Sequence, residues 1–150
     1  QELKKSKKKI NEIRFREIGF VLRDLKKGQK IDNKLKLKIT KYKASEGEEY
    51  FLEFVNKDNI LFGLCRLRIF NNYAFVRELH VYGQALKIGE KSKQLGQHSG
   101  LGKRLIKETE KITKKAKIKK LKIISGIGVR KYFYKIGYKL DYPYVSKTLN

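Results

Sequence analysis

The sequence predicts a mixed α/β domain, on three observations. Short apolar segments separated by turn residues run from about residue 13 to residue 82, which is typical of an antiparallel meander. A glycine-containing loop at residues 97–102 then opens into a segment with the period of an amphipathic helix. A short apolar run, a second short helix and two strand-like segments follow. With 150 residues and 40% hydrophobic content, the chain can form one domain with its own core.

The first half of the chain is predicted to form strands. Residues 13–23 carry mostly alternating apolar positions, which favours a strand over a helix. Asp32-Asn33 reads as a turn, and Leu35, Leu37 and Ile39 then alternate with lysines as in a half-buried strand. The remaining predicted strands cover 50–55, 60–70 and 74–82, and polar turns at 45–49, 56–59 and 71–72 precede them.

The second half is predicted to contain two helices and three short strands, of which the last two close the sheet. Residues 84–96 show no clean period, so we expect a loop of about a dozen residues there. Apolar residues follow helical spacing from Leu101 to Ala116. A short buried strand is expected at 121–124 and a short helix at 129–136, with Gly137 at its C′ position. Closing strands are expected at 138–140 and 145–149.

The glycine loop between the meander and the long helix has the pattern Gln-x-x-Gly-x-Gly. Glycines at positions 100 and 102 would let the backbone approach a bulky anion, because no Cβ blocks it. The helix start adds unpaired N–H groups and the positive end of a dipole. The loop is therefore a candidate phosphate cradle, although a plain strand-to-helix connection can have the same pattern.

This order of elements resembles the acetyl-CoA-binding core of the GNAT acetyltransferases. Residues 77–83 (Arg-Glu-Leu-His-Val-Tyr-Gly) and 124–138 are more narrowly similar to the C-terminal acetyltransferase domain of Elongator-type catalytic subunits, of archaeal type, which modify the wobble uridine of tRNA. The resemblance is strong from about residue 64 to residue 149. It implies a GNAT fold, with a largely antiparallel central sheet, one splayed pair of strands and flanking helices.

The resemblance also implies where acetyl-CoA binds, between the strands at 74–82 and 121–124. A backbone N–H near His80 or Val81 would polarise the thioester carbonyl. Cofactor contacts are expected from Glu78, Leu79, His80 and Val81, mainly through main-chain atoms, and from Gln97, Gly100, Leu101, Gly102 and Lys103 around the pyrophosphate. The side chain of Lys103 is equally consistent with a solvated lysine in so basic a chain.

Two residues are candidate catalytic groups. Glu78 shares a strand face with His80, so its carboxylate could act as general base, unless one of the two side chains faces the core. Many GNAT enzymes place a tyrosine four residues before the glycine of the short helix, where it protonates the departing thiolate. Phe133 occupies that position here, and we expect it to contact the cofactor. Elongator-type subunits usually have two successive tyrosines there, so the retained Tyr132 is the candidate acid, with core packing as its alternative.

Cys65 is the only cysteine, which excludes a disulfide and a cysteine-based metal site within one chain. We expect a buried structural thiol rather than a reactive one. His80 and His98 make no recognised metal spacing with it, so no metal site is predicted. In relatives, the resemblance implies a radical S-adenosylmethionine domain whose 4Fe-4S cluster needs three cysteines. We expect that domain N-terminal to Gln1 in the same polypeptide, because the chain does not begin with Met.

The formal net charge is +23, from 38 basic and 15 acidic residues. Such an excess attracts polyanions through counterion release. A general habit of lysine usage, as in AT-rich genomes or hyperthermophiles, is the alternative. The content of acidic residues is not raised together with that of lysine, and this difference favours an RNA-facing surface and tRNA as partner. The densest basic run is Lys4, Lys5, Lys7, Lys8 and Lys9.

These features divide the chain into a basic linker remnant at 1–12 and the acetyltransferase domain at 13–150. No apolar run approaches the roughly 18 residues that cross a membrane, and no signal peptide is visible, so we expect no membrane partner and a cytoplasmic location. The preferred function is an acetyltransferase domain that supplies an acetyl group for tRNA wobble-uridine modification. Two alternatives are a free-standing N-acetyltransferase of a protein lysine or small amine, and a non-catalytic RNA-binding module.

The basic run at residues 4–9 leads to a prediction about salt dependence. Replacing its five lysines by Ala should flatten the plot of log affinity for tRNA against log salt concentration. Each lost phosphate contact should reduce the slope by about 0.7 to 0.9. Fluorescence anisotropy with labelled tRNA at four salt concentrations measures this slope. An unchanged slope would identify the run as a solvated linker.

Overall fold

A computed structural model of the chain describes residues 12–83 and 100–150. Within these ranges seven strands form one sheet in the order β1-β2-β3-β4-β5-β7-β6. The strands are β1 (Lys36–Ala44), β2 (Gly47–Val55), β3 (Leu61–Phe70), β4 (Tyr73–Val81), β5 (Lys120–Ile123), β6 (Lys139–Asp141) and β7 (Tyr144–Thr148). All neighbours pair antiparallel except β4 and β5, which run parallel. The predicted mixed α/β class is confirmed.

Four helices accompany the sheet in the described ranges. They are α1 (Ile13–Arg16), α2 (Ile18–Arg23), α3 (Leu101–Lys115) and α4 (Arg130–Lys135), the last preceded by a 3₁₀ turn at Ile127–Val129. The structure thus confirms both helices predicted in the second half of the chain. Gly137 follows α4 with a φ of +92°, as expected for a C′ glycine. None of the described helices is long and apolar enough to span a bilayer.

Helix α3 covers one face of the sheet, and the main core lies between them. Its buried stripe follows helical spacing and comprises Leu101, Gly102, Leu105, Ile106, Thr109 and Thr113. These residues meet the inward-facing side chains of the central strands, including Leu67, Val76 and Leu121. The two buried threonines donate their hydroxyls to carbonyl oxygens of the preceding turn, Thr109 to Ile106 and Thr113 to Thr109, so the stripe buries no orphaned donor there.

The strand predicted at residues 13–23 is wrong, because this segment forms α1 and α2. The Glu12 carboxylate accepts a hydrogen bond from the Phe15 N–H at 3.2 Å and caps α1. Glu17 is extended between the two helices, with φ −63° and ψ 139°. In α2, Ile18 and Leu22 are four residues apart and both pack into the core. The alternation of apolar residues in the sequence therefore arises from two short helices that follow one another with the extended Glu17 between them.

The remaining strand predictions are confirmed, with small shifts at the ends. The turn predicted at 45–49 contains only Ser45 and Glu46, whose φ values are +46° and +62°. Two successive left-handed residues suit a tight hairpin turn, so Gly47 already begins β2. Residues 84–96, where a loop was predicted, lie outside the described part of the chain.

The opposite face of the sheet carries many of the charged side chains of the strands, next to a small apolar cluster of Val55, Leu61 and Leu64. This polar face, which carries Glu49, Glu53, Arg66, Arg68 and Glu78, is covered in part by α1. Glu53 is 2% exposed and accepts a hydrogen bond from Arg16 Nη2 at 2.7 Å. Glu49 is also 2% exposed, and its Oε1 lies 3.0 Å from Arg68 Nη1 and 2.8 Å from Arg77 Nη1. Buried carboxylates are thus paired with guanidinium groups across neighbouring elements.

The pair of Arg16 and Glu53 should hold α1 on the sheet. Glu53→Ala removes the partner of a guanidinium that is 8% exposed, so we expect a loss of about 3–5 kcal/mol in the free energy of unfolding. Lys38 also lies near Glu53, with Nζ 3.5 Å from Oε2, but its side chain is 51% exposed. Lys38→Ala is the matched control and should cost at most about 1 kcal/mol. Urea denaturation measures both, and equal losses would contradict this role of Arg16.

Candidate active site

The central feature of the candidate site is the place where β4 and β5 part. The two strands pair only from Ala74 to Val76, opposite Leu121 to Ile123. One more bond, from the Ile124 N–H to the Val76 carbonyl at 3.0 Å, closes this ladder. Beyond it, the described pairing of β4 is with β3 alone. The splayed strand pair that the resemblance implied is thus present.

A bulge in β4 marks the start of the splay. Arg66 of β3 pairs with Glu78, but its neighbour Leu67 pairs with Val76, which leaves Arg77 as the extra residue. A bulge bends the strand and changes which way the following residues point. The Tyr82 N–H donates to the Phe62 carbonyl at 2.9 Å, on the β3 side. Because backbone groups alternate, the N–H groups of Leu79 and Val81 point toward the gap.

Helix α3 begins beside the end of β4 and presents free backbone donors. Gly100, its N-cap, has a φ of +83° and makes no side-chain cap. The first bond within the helix runs from the Arg104 N–H to the Gly100 carbonyl at 2.9 Å. The N–H groups of residues 101–103 therefore have no partner within the helix. A Cβ built at Gly100 would have no atom within 4 Å among the described residues, so the space beside this backbone is open.

Gly102 allows close packing inside the protein. A Cβ placed there would lie 2.9 Å from the Tyr132 hydroxyl oxygen and 3.4 Å from Val81 Cγ2. Gly102 is itself buried, so the predicted close approach of an anion is not the direct reason for a glycine at this position. The contact instead joins three elements, the end of β4, the first turn of α3 and the ring from α4.

Tyr132 reaches this junction and is not a core residue. It is 39% exposed, and its hydroxyl lies against the first turn of α3. Desolvation by burial raises the pKa of its phenol above the ordinary value, so the hydroxyl keeps its proton at neutral pH. The structure therefore places a proton donor at the mouth of the gap.

Phe133 points the other way, into the core. It is 4% exposed and meets Tyr132 and Tyr138 edge to face, with ring centroids 5.2 and 6.1 Å apart. Leu101 is likewise buried, at 1% exposure. Lys103 is exposed.

Glu78 and His80 meet on the polar face beside the gap. Glu78 Oε1 lies 3.1 Å from His80 Nε2, and its Oε2 lies 3.2 Å from Arg66 Nη2. The rings of His80 and Tyr82 stack with centroids 6.1 Å apart, so the shared strand face is confirmed. Sequence reasoning missed Arg66, whose only signal is its place in the strand that pairs with β4. The cluster joins a carboxylate to a titratable imidazole at an accessible position.

Cys65 is a structural residue. It has no exposed surface, and burial raises the pKa of its thiol to about 12. A thiol of that pKa forms no thiolate at neutral pH, so it cannot serve as a nucleophile. The predicted buried thiol is confirmed. No group of three metal-ligating side chains occurs in the part of the chain that the structure describes.

Two groups of predicted site residues lie outside the described residues. Gln97, which His98 follows in the sequence, precedes the first described residue of this region, Gly100. The basic run of Lys4, Lys5, Lys7, Lys8 and Lys9 precedes residue 12. Their predicted contacts to pyrophosphate and tRNA therefore stay predictions.

Comparison with known proteins gives relatives over almost the whole chain. Elongator complex protein 3 of Schizosaccharomyces pombe is 38% identical over 159 residues, which cover 94% of this chain and 28% of that protein. The tRNA uridine(34) acetyltransferase of Dehalococcoides mccartyi is 38% identical over 163 residues, 100% of this chain and 35% of that protein. The chain thus spans about a third of the length of these relatives. No protein-family profile matches it.

Solved structures show the same architecture. An archaeal Elp3 from Methanocaldococcus infernus, with an N-terminal deletion, matches with a TM-score of 0.77 and 39% identity, over 91% of this chain and 35% of that one. Tetrahymena GCN5 matches with a TM-score of 0.51 and 17% identity, over 71% of each chain. This second likeness concerns the fold alone, and it agrees with the splayed strands described above.

Proposed function

We propose that this chain, as a member of the acetyltransferase family of Elongator complex protein 3 and the tRNA uridine(34) acetyltransferases, binds acetyl-CoA between its splayed strands for acyl transfer. One observation carries the proposal. The open edge of β4 and the first-turn N–H groups of α3 meet at one junction, where a Cβ built on Gly102 would lie 3.4 Å from Val81 Cγ2. Acetyl-CoA has an extended thioester arm and a pyrophosphate. The arm needs donors along a strand edge such as that of β4, and the pyrophosphate needs donors at a helix start such as that of α3.

The residues present fit such a cofactor. The N–H groups of Leu79 and Val81 can pair with an amide-containing arm as an added strand would, and one of them can donate to a thioester carbonyl. The N–H groups of residues 101–103 and the helix dipole favour a diphosphate beside Gly100, where the space is open. We further propose that Lys103 and Gln97 contribute to this anion site.

Tyr132 and Glu78 are the proposed catalytic groups. The Tyr132 hydroxyl lies at the junction and holds its proton, so it can protonate a departing thiolate. Glu78 lies on the polar face, where His80 and Arg66 orient its carboxylate. From there it can accept a proton from an incoming nucleophile or water. Phe133 is proposed to support the Tyr132 ring from the core, since their centroids are 5.2 Å apart.

The substrate and partner domain are the wider part of the proposal. We propose that residues 13–150 form the acetyltransferase domain, that residues 1–12 are a basic linker, and that the domain works with a radical S-adenosylmethionine domain on the wobble uridine of tRNA in the cytoplasm. The names of the relatives support the tRNA substrate. The net charge of +23 supports a polyanionic partner.

Two variants at Gly100 test the anion site. Asn and Asp have nearly the same shape and both tolerate a left-handed backbone, so each should cost a similar, small amount of stability at the φ of +83°. Only Gly100→Asp places a negative charge at the helix start, where it would repel a diphosphate. Calorimetric titration with a non-hydrolysable acetyl-CoA analogue should show at least about tenfold weaker binding for Gly100→Asp than for Gly100→Asn. Equal affinities, or no binding by the unmodified chain, would contradict the proposed site.

A second pair of variants tests Tyr132 as the general acid. Tyr132→Phe removes the hydroxyl at the junction and should slow acetyl-CoA cleavage by about a hundredfold or more, with affinity nearly unchanged. Tyr134→Phe is the matched control, because Tyr134 is a 43% exposed tyrosine on the same helix, and it should leave the rate unchanged. Thiol release followed with a colorimetric reagent, with tRNA present and absent, measures the rates. Fast tRNA-independent acetylation of a small amine would favour a free-standing N-acetyltransferase instead.

A further inference from the structure

A row of aromatic side chains lies on the polar face, at the far end of β4 from the proposed acetyl-CoA site. This aromatic row consists of Tyr73 and Phe75 on β4 and Tyr144 on β7. The rings of Tyr73 and Phe75 stack with centroids 6.1 Å apart, and those of Phe75 and Tyr144 lie 5.8 Å apart. Tyr73 is 55% exposed. Three touching rings thus span three adjacent strands with one member open to solvent.

Sheet register places basic side chains among these rings. Phe75 pairs with Lys122 of β5, which pairs with Ser146 of β7, which in turn pairs with Lys139 of β6. Directly paired residues lie on the same face of a sheet, so both lysines share the face with the rings. Lys122 Nζ lies 5.5 Å from the centroid of Tyr144. Lys139 is exposed at the edge of the row.

The acidic residues near the row are already neutralised. Asp141 Oδ2 lies 3.5 Å from Lys122 Nζ and 3.8 Å from Lys120 Nζ. Glu49 lies between the guanidinium groups of Arg68 and Arg77. Five cations therefore face two carboxylates here, namely Arg68, Arg77, Lys120, Lys122 and Lys139. This surface combines one exposed ring, that of Tyr73, and two half-buried rings with a net positive charge.

We propose that the aromatic row binds unpaired bases of an RNA strand by stacking, with the surrounding cations holding its phosphates. Aromatic rings on one face of a sheet are a common platform for single-stranded RNA, because every base has a face that can stack. The excess of cations favours RNA over a protein surface. The inference rests on the proposed function, since it places part of the tRNA on this chain. It concerns a separate surface, because Phe75 and Val81 are roughly 20 Å apart along β4.

Binding of a labelled oligouridylate of about ten nucleotides to the whole chain tests the row. Tyr73→Ala should weaken binding at least fivefold at both low and high salt, because stacking does not depend on counterions. Lys139→Ala should instead reduce the salt slope by about 0.7, the value for one phosphate contact on a single strand. Tyr42→Ala is the matched control, since Tyr42 lies on the same face in β1 with 42% exposure, and it should leave affinity unchanged.

A fluorescent reporter makes the test independent of how the alanine variant folds. The chain contains no tryptophan, so Tyr73→Trp introduces a single one. Oligouridylate should quench its fluorescence, while Tyr42→Trp should be unaffected. Absence of quenching, or wild-type affinity in Tyr73→Ala, would overturn the proposal and point to a protein partner for the row. Failure to bind the acetyl-CoA analogue would instead contradict the proposed function, and Tyr73→Ala should bind that analogue normally.

Discussion

The one-residue bulge at Arg77 is the constraint on which the rest of the site depends. Before it, Ala74 and Val76 point into the core under α3. Without the extra residue, Glu78 and His80 would continue the same buried face. With it, they turn to the polar face, Leu79 turns to the core, and the backbone N–H groups that face the gap become those of Leu79 and Val81. Arg77 is held by the buried Glu49 at 2.8 Å, so the bulge has a structural anchor.

Four of the acidic residues of this basic chain stabilise its interior and its strand contacts. Glu49 and Glu53 are buried against arginines, Glu78 joins Arg66 to His80, and Glu110 accepts hydrogen bonds from Tyr138 and Lys147. Each of these carboxylates is thus committed to a cation or a hydroxyl. With 38 basic and 15 acidic residues, most lysines have no carboxylate to pair with, so the surface keeps a strong attraction for polyanions. This charge imbalance supports the proposed binding of RNA.

Much of the fold could be predicted from the sequence because its elements follow simple periods. The strands from β1 to β4 are apolar segments bounded by turn residues, and α3 has a clear helical stripe. The strand prediction for residues 13–23 was wrong because two short helices, separated by the extended Glu17, produce a similar alternation of apolar residues. The bulge had no local signal, since Arg77 resembles any exposed strand residue. The ligand approach predicted at Gly102 stays a prediction, and the closeness of Tyr132 to this glycine had no sequence signal because it depends on the tertiary fold.

The most direct test of the account is a titration of the isotopically labelled chain with a non-hydrolysable acetyl-CoA analogue, followed by amide nuclear magnetic resonance. If the splayed strands hold the cofactor, the largest shifts will occur at two separate places in the sequence, the N–H groups of Leu79 and Val81 and those of residues 101–103. Amides of the aromatic row should change little. Saturable binding whose shifts avoid both the end of β4 and the start of α3 would contradict the proposal that the splayed strands hold the cofactor.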